Sequence, residues 1–336
     1  MSWPQTSGEF SLGNYVVQSG EVISGAKLVW KAHGTLSAAK DNVIVYPCSY
    51  GAQHADLEWL IGPDGILDPT KYFIVIPDMF SNGLSSSAAD IEGFPAVVTM
   101  WDNVQAQYRL LNTLWGIERV HAVYGFSMGA GQAYHWAAAF ADKVDHAFVV
   151  CGSARTAVHN KVFLSSLMRT LEAAPEHIGG GRFSAEPRLA FRAFAHIYAG
   201  WALSQDFYRA NLHITALGAP DLETFLKTDW EDRYLNKRAA NSYAQLVTWY
   251  TADISANPLY DGDLEKALGA IQAKVMLLPS TTDLYFRVAD NAAELPFLKH
   301  GELRPIESIW GHRAGSPAVI PADRAFLKEA VRSWLG

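Results

Sequence analysis

"HAVYGFSMGAG", residues 121–131, sets the reading of the whole chain. An apolar run ends in Ser127, flanked by Gly125 and Gly129, and a small-residue helical pattern begins at once. Two readings compete. Ser127 is a nucleophile on a strained strand-to-helix turn, or the stretch is an ordinary turn where a helix packs closely on a sheet. With Gly and Ser each near ~7% of residues, G-x-S-x-G arises by chance roughly 0.1 times in a chain this long. Its position favours the first reading, because a nucleophile elbow needs its serine between a buried strand and a helix. Side chains at Gly125 and Gly129 are expected to collide with the neighbouring strand and helix. The Met128 N–H, at the positive end of the new helix, is expected to face a developing oxyanion.

Outward from that turn, apolar runs alternate with helical patterns, the signature of an α/β sheet. "NYVVQSG" and "AKLVWKAHG" read as an initial pair of strands. "NVIVYPCS" (42–49) and "KYFIVIPD" (71–78) suit buried parallel strands. "TMWDNVQAQYRLLNTLWG" (99–116) is helical, with Val104, Tyr108, Leu111 and Leu114 or Trp115 at helical spacing and Gly116 placed to end it. "RVHAVYGF" and "DHAFVVCG" (145–152) are further strands around the helix "MGAGQAYHWAAAFAD". From about 155 to 270 the chain reads as helices and loops rich in aromatics. Strand signals return at "AKVMLLPS" (273–280) and "ELRPIESIWG" (302–311), and "ADRAFLKEAVRSWL" closes the chain as a helix. The expected organisation is an α/β core over 1–154 and 271–336, interrupted by a helical lid over 155–270. "GGGR" (179–182) lacks the preceding strand and the Lys-Ser/Thr of a phosphate loop, and reads as a turn.

Composition bounds the function. Of 336 residues, 49% are apolar and 18% charged, enough for a large core and too apolar for disorder. A net charge of −7 argues against nucleic acid as the main partner. Two cysteines, Cys48 and Cys151, make no disulfide framework. "MSWPQTSGEF" lacks the pattern of a secretory leader, and the longest apolar stretch is broken by Arg192 and His196. A soluble, reduced, cytoplasmic protein without a membrane partner is expected.

A serine nucleophile needs a base and an orienting acid, in the chain order Ser, Asp or Glu, His. "VMLLPSTTDLYF" puts Asp283 just beyond a buried strand, and "IESIWGHRAGSP" puts His312 on a loop before the last helix. Both lie at the carboxyl edge of the sheet, where open α/β sheets bind ligands. Singly, Asp283 reads equally as a helix N-cap and His312 as a loop histidine; the ordered triple is harder to dismiss. The loop "YPCSYGAQHADLEW" offers Ser49 or Tyr50 N–H as the second oxyanion donor. Cys48 in that loop is a weaker alternative nucleophile, lacking an elbow. His54 and Asp56 lack a ligand cluster around them, so no metal is expected.

The segments "NVIVYPCSYGAQHADLEWLIGPDGILDPTKYFIVIPDMFSNG", "FPAVVTMWDNVQAQYRLL", "VYGFSMGAGQAYHWAAAFADKVD", "RAANSY", "STTDLYF" and "WGHR" resemble homoserine O-acetyltransferases of the α/β-hydrolase superfamily, over roughly residues 40–335. The resemblance implies a mostly parallel eight-stranded sheet with flanking helices and a helical lid, often used to form a homodimer. It implies Ser127, Asp283 and His312 as the triad, with Tyr50 and Met128 as backbone oxyanion donors. It also implies acyl transfer from acyl-CoA through serine to an amino-acid hydroxyl. Departures touch the surroundings of that machinery. Arg313 stands where the family has Asp after the histidine, Trp101 replaces a cation in "IRD", and Phe126 and Ala130 replace elbow glycines. A guanidinium repels the ammonium that an Asp would hold, so the acceptor is expected not to be homoserine.

The expected function is therefore hydrolysis of a small ester, amide or thioester through acyl-Ser127. No resident cofactor is expected. The alternatives are an O-acyltransferase using acetyl-CoA or another acyl-CoA as co-substrate, and a catalytically silent binding protein. Arg313, Trp101, Phe126, Tyr198 and Trp201 are the expected substrate contacts; with Tyr208, Tyr243, Trp249 and Tyr250, the lid aromatics read either as pocket lining or as lid core.

Overall fold

The computed structural model describes residues 2–336. Its strands are β1 (Gln5–Val16), β2 (Val22–His33), β3 (Val43–Val45), β4 (Phe73–Pro77), β5 (Val120–Phe126), β6 (Val144–Val150), β7 (Lys274–Leu278) and β8 (Gly301–Leu303). They form one sheet in the order β1-β2-β4-β3-β5-β6-β7-β8. β1, β2 and β4 pair antiparallel, and the remaining neighbours pair parallel. This is the mostly parallel, eight-stranded arrangement expected.

Strand side chains alternate between two buried clusters, as the period of two requires. Ile44, Ile74, Ile76, Tyr124, Phe148 and Met276 face one cluster; Val43, Val45, Val75, Val123, Val149 and Leu277 face the other. On the second face lie α1 (Met100–Trp115) and α2 (Met128–Ala139). Thr99 caps α1 in a reciprocal box with Asp102, worth ~1 kcal/mol. Gly116 ends it at φ 60°. The first face packs the C-terminal helix through Leu327, Ala330 and Val331, and continues into the helices of 155–270 through Phe163, Phe194 and Trp249. The longest of those helices are α3 (Val158–Glu172), α4 (Arg188–Ala202) and α5 (Ala239–Tyr250), which carry Phe163, Phe194 and Trp249 respectively. No helix among the described residues is long and apolar enough to cross a membrane.

The expected strand 302–311 is a correction. The ladder covers Gly301–Leu303, and beyond Pro305 one further parallel bridge joins Ile306 to Ser280, the Ile306 N–H donating to the Pro279 carbonyl (2.7 Å), so pairing stops well short of 311. The chain then turns to a short helical segment, Gly311–Gly315, which carries His312.

Three carboxyl ends are level, because Phe126 pairs with Val150 and Val150 with Leu278. The loops after β5 and β7 therefore start side by side.

Candidate active site

Between β5 and α2 the backbone must reverse within one residue. Ser127 has φ 58° and ψ −125°, a conformation unfavourable for a side chain and stored here by the surrounding bonds. Its N–H donates to the Val150 carbonyl (2.9 Å), and its carbonyl accepts from the N–H groups of Ala130 (2.9 Å) and Gly131 (3.1 Å). The flanking glycines have separate causes. A Cβ at Gly125 would lie 2.1 Å from the Gly129 carbonyl oxygen, and one at Gly129 would lie 2.5 Å from that of Pro47. The second contact is with the loop after β3, not with a strand. Ala130, present where the resembled family has glycine, is accommodated because Gly152 faces it; a Cβ on Gly152 would approach Ala130 Cβ to 2.3 Å.

The loops after β7 and β8 bring Asp283 and His312 to this turn. His312 Nε2 is 2.8 Å from Ser127 Oγ, and His312 Nδ1 is 2.6 Å from Asp283 Oδ2. A carboxylate only accepts, so Nδ1 carries the proton and Nε2 presents its lone pair to the serine hydroxyl. Asp283 Oδ1 also accepts from the Tyr285 N–H (2.8 Å) and the Phe286 N–H (3.3 Å). No helix starts at Leu284, the next one beginning at Val288 with Arg287 as its cap, so the capping reading of Asp283 is corrected: Oδ1 closes a local turn while Oδ2 holds the histidine. Phe126, Tyr285 and Phe286 surround the imidazole at 4.7, 4.9 and 5.5 Å between ring centroids. All three polar residues are buried, at 3%, 5% and 6% exposure.

The backbone around Tyr50 is held from three directions. Ser49 Oγ donates to the Phe126 carbonyl (2.6 Å), and Gln132 Nε2 donates to the Cys48 carbonyl (2.9 Å). Gly51 donates its N–H to Gln245 Oε1 (2.7 Å). Among the described residues, the Tyr50 N–H donates to no acceptor. The Met128 N–H is the first of its helix and has no intrahelical acceptor. These are the two donors expected at an oxyanion. Sequence reading missed Gln132 and Gln245, because a lone glutamine in a helix carries no pattern.

Two cysteines lie nearby, and neither is a competing nucleophile. Cys48 Sγ donates to Asp78 (3.5 Å), and both burial and that carboxylate push its thiol well up. Cys48 is absent from the walls of the cavity over Ser127, which corrects its reading as an alternative. Cys151 Sγ, an Asp283 oxygen and a His312 nitrogen lie within 4.8 Å of one another. Burial pushes the Cys151 thiol up as well, against the thiolate that a metal would need. His54 is engaged by Asp78 (2.6 Å), and Asp56 accepts from the Gln53 N–H (2.9 Å).

Ser127 and His312 open on a cavity of about 650 Å3 whose walls include Tyr50, Phe126, Tyr198 and Arg313. Trp101 and Trp201, expected as substrate contacts, do not line it. Trp101 starts α1, on the sheet face behind the elbow, where Met100 abuts Gly131. Trp201 stacks on Tyr285 (6.1 Å) and so stands one layer behind His312. Trp249 belongs to the buried core, and the Tyr243 hydroxyl donates to Glu172 (2.6 Å). Sequence reading missed Asp229, Trp230, Arg233 and Lys237, which also line the cavity. Asp229 and Trp230 lie within, and Arg233 and Lys237 follow, a wide-turn helical stretch, Leu226–Glu231, of the kind frequent at functional sites. Burial and the neighbouring Arg233 push the Arg313 guanidinium down to about 10, opposed by Asp229, so it stays charged at neutral pH.

Residues 57–312 match the family model described as alpha/beta hydrolase fold. The chain is 34% identical to a probable esterase of Corynebacterium glutamicum, over 96% of this chain and 95% of the relative. It superposes on the solved structure of the acetyl esterase MekB with a TM-score of 0.93 at 29% identity, covering 98% of this chain and 96% of that one. It is also 29% identical to a homoserine O-succinyltransferase of Methylibium petroleiphilum, over 80% of this chain and 78% of the relative.

Proposed function

The chain belongs to the α/β-hydrolase fold family, and from that premise we propose that it is a serine esterase acting on small carboxylic esters through an acyl-Ser127 intermediate. The observation that carries the reading is the buried hydrogen-bonded chain from Asp283 through His312 to Ser127, facing a cavity. Similarity to an acetyl esterase and to a probable esterase supports an ester as substrate.

In the mechanism, Ser127 Oγ attacks the ester carbonyl while His312 Nε2 takes its proton. Asp283 holds the imidazole in the productive tautomer and stabilises the imidazolium. The Met128 and Tyr50 N–H groups receive the oxyanion, an effect of roughly 3–4 kcal/mol for one good donor. Collapse breaks the ester C–O bond, and His312 delivers its proton to the departing alkoxide. His312 then takes a proton from water as its oxygen attacks the acyl carbon, and when the C–Oγ bond breaks it returns that proton to Ser127 Oγ, releasing the acid and the free enzyme.

Transfer to an alcohol instead of water is the second reading, favoured by the relationship to a homoserine O-succinyltransferase. Arg313 beside His312 opposes an ammonium acceptor, so homoserine is not proposed. A homodimer through the 155–270 segment fits the exposure of Val158 and Val162 one turn apart on α3. A cytoplasmic location, no nucleic-acid partner and no resident cofactor complete the proposal.

The test is turnover of p-nitrophenyl acetate and of acetyl-CoA, each with and without homoserine, serine and simple alcohols. Water-only release of acetate, insensitive to acceptors, is expected. Acceptor-dependent formation of an O-acetyl product from acetyl-CoA would replace esterase by acyltransferase.

A further inference from the structure

The cavity is far larger than an acetyl group requires, and its charges are unevenly answered. Arg233, Lys237 and Arg313 line it together with Asp56 and Asp229. Lys237 Nζ donates to the Gly51 carbonyl (2.6 Å) and has Asp56 as its neighbouring carboxylate. That leaves two guanidinium groups against Asp229 alone. The Arg313 and Arg233 guanidinium carbons lie 5.3 and 5.9 Å from the Trp230 ring, which orients both. Arg313 comes no closer to Asp229 than 3.8 Å, beyond hydrogen-bond reach, and donates to no other described residue. Its planar set of donors, fixed by the indole and facing the cavity, matches a carboxylate geometrically.

We propose that Arg313 and Arg233, held on Trp230, form an anion subsite that selects esters carrying a free carboxylate. The proposal rests on the esterase reading and names the substrate class within it. Arg313 follows His312 directly, so a carboxylate bound there belongs to a molecule whose ester lies a few bonds away at Ser127. Two sources share that chemistry. The carboxylate is on the acyl side, as in a monoester of a dicarboxylic acid, or on the alcohol side, as in an acetylated hydroxy acid. Asp229 keeps the empty subsite from holding two unanswered positive charges, and its 3.8 Å separation leaves the guanidinium edge available.

The experiment compares matched pairs: monoethyl succinate against ethyl butanoate, and 3-acetoxypropanoate against propyl acetate. The expected result is that wild type cleaves the anionic member of one pair with kcat/KM at or above that of its neutral partner. The identity of that pair tells which side carries the carboxylate. In Arg313→Gln the anionic-to-neutral ratio should fall about tenfold, as for loss of a charge-assisted pair. Arg233→Gln, at an exposed helical position, should lower the ratio in the same direction, and it keeps the test decisive if the first variant does not fold. Neutral members preferred in both pairs, or a ratio that neither variant changes, would overturn the subsite and leave the esterase reading standing. Failure of wild type to cleave any of the four esters would overturn both.

Discussion

At Ser127 the backbone sits at φ 58° only because three hydrogen bonds and two glycines hold it there. Ser127→Ala keeps that frame and removes the attacking oxygen. Ester hydrolysis should fall by at least ~10^4-fold with the melting temperature little changed, read by paired kinetic and thermal assays. Glu294 makes a different prediction. It accepts from the Ala154 N–H (2.9 Å), Asn291 Nδ2 (3.0 Å) and the Tyr134 hydroxyl (3.0 Å), yet burial pushes its carboxyl up from 4.5 to about 7. The unfolded chain releases this proton near 4.5 and the folded chain near 7, so the folded state binds the extra proton between those values. Its contribution to stability is therefore greatest in acid and declines as pH rises through that window. In Glu294→Gln that part of the slope should vanish from denaturant titrations at pH 5 and 8; an identical slope would refute the assignment. Ser127, Asp283 and His312 were legible in sequence because each follows a strand signal. Arg233, Lys237 and Trp230 were not, since the helical segment that carries them shows only aromatic richness. Trp101 was placed by a position in the resembled family, and a residue at a helix start need not point where its replaced cation pointed.

The elements explain why the elbow tolerates its altered glycine pattern. Ala130 on α2 fits only because Gly152, just beyond β6, has no Cβ. Gly152→Ala alone should destabilise the protein by ~1–3 kcal/mol through overpacking, and adding Ala130→Gly should restore part of that loss. Additive effects in urea melts would mean that the two positions do not meet. Gln132 ties α2 to the loop after β3 and is itself held by Gln107 Nε2 (2.7 Å). Gln132→Leu frees the Cys48 carbonyl and loosens Tyr50, so kcat should drop ~10- to 100-fold with KM for a small ester less affected. An unchanged kcat would remove the Tyr50 N–H from the oxyanion site. The order and type of these elements were readable from alternating runs and from caps such as Thr99 and Gly116. The last strand was overextended because "ELRPIESIWG" is apolar enough for a strand, while pairing ends at Ile306, where its neighbour gives way to the loop that carries Asp283.

For the whole molecule, the helices of 155–270 do not carry a separate core. Phe163, Phe194 and Trp249 share one buried cluster with Ile44, Phe148 and Met276 of the sheet. A single cooperative thermal transition is expected for the intact chain, and replacing 155–270 by a short linker should leave an aggregating product, not a stable open enzyme. Two resolved calorimetric transitions would contradict this. The sequence showed the change from alternation to helices near residue 155 without showing that both parts pack as one, since contacts between distant segments leave no periodic trace. The central claim is that an acyl group passes through Ser127, and acid-quench mass spectrometry during turnover of an acetyl ester reads it directly. The account predicts an acetyl adduct on the peptide containing Ser127 that forms and decays at the rate of acetate release. Turnover with no adduct there, or with the adduct on another residue, would contradict it.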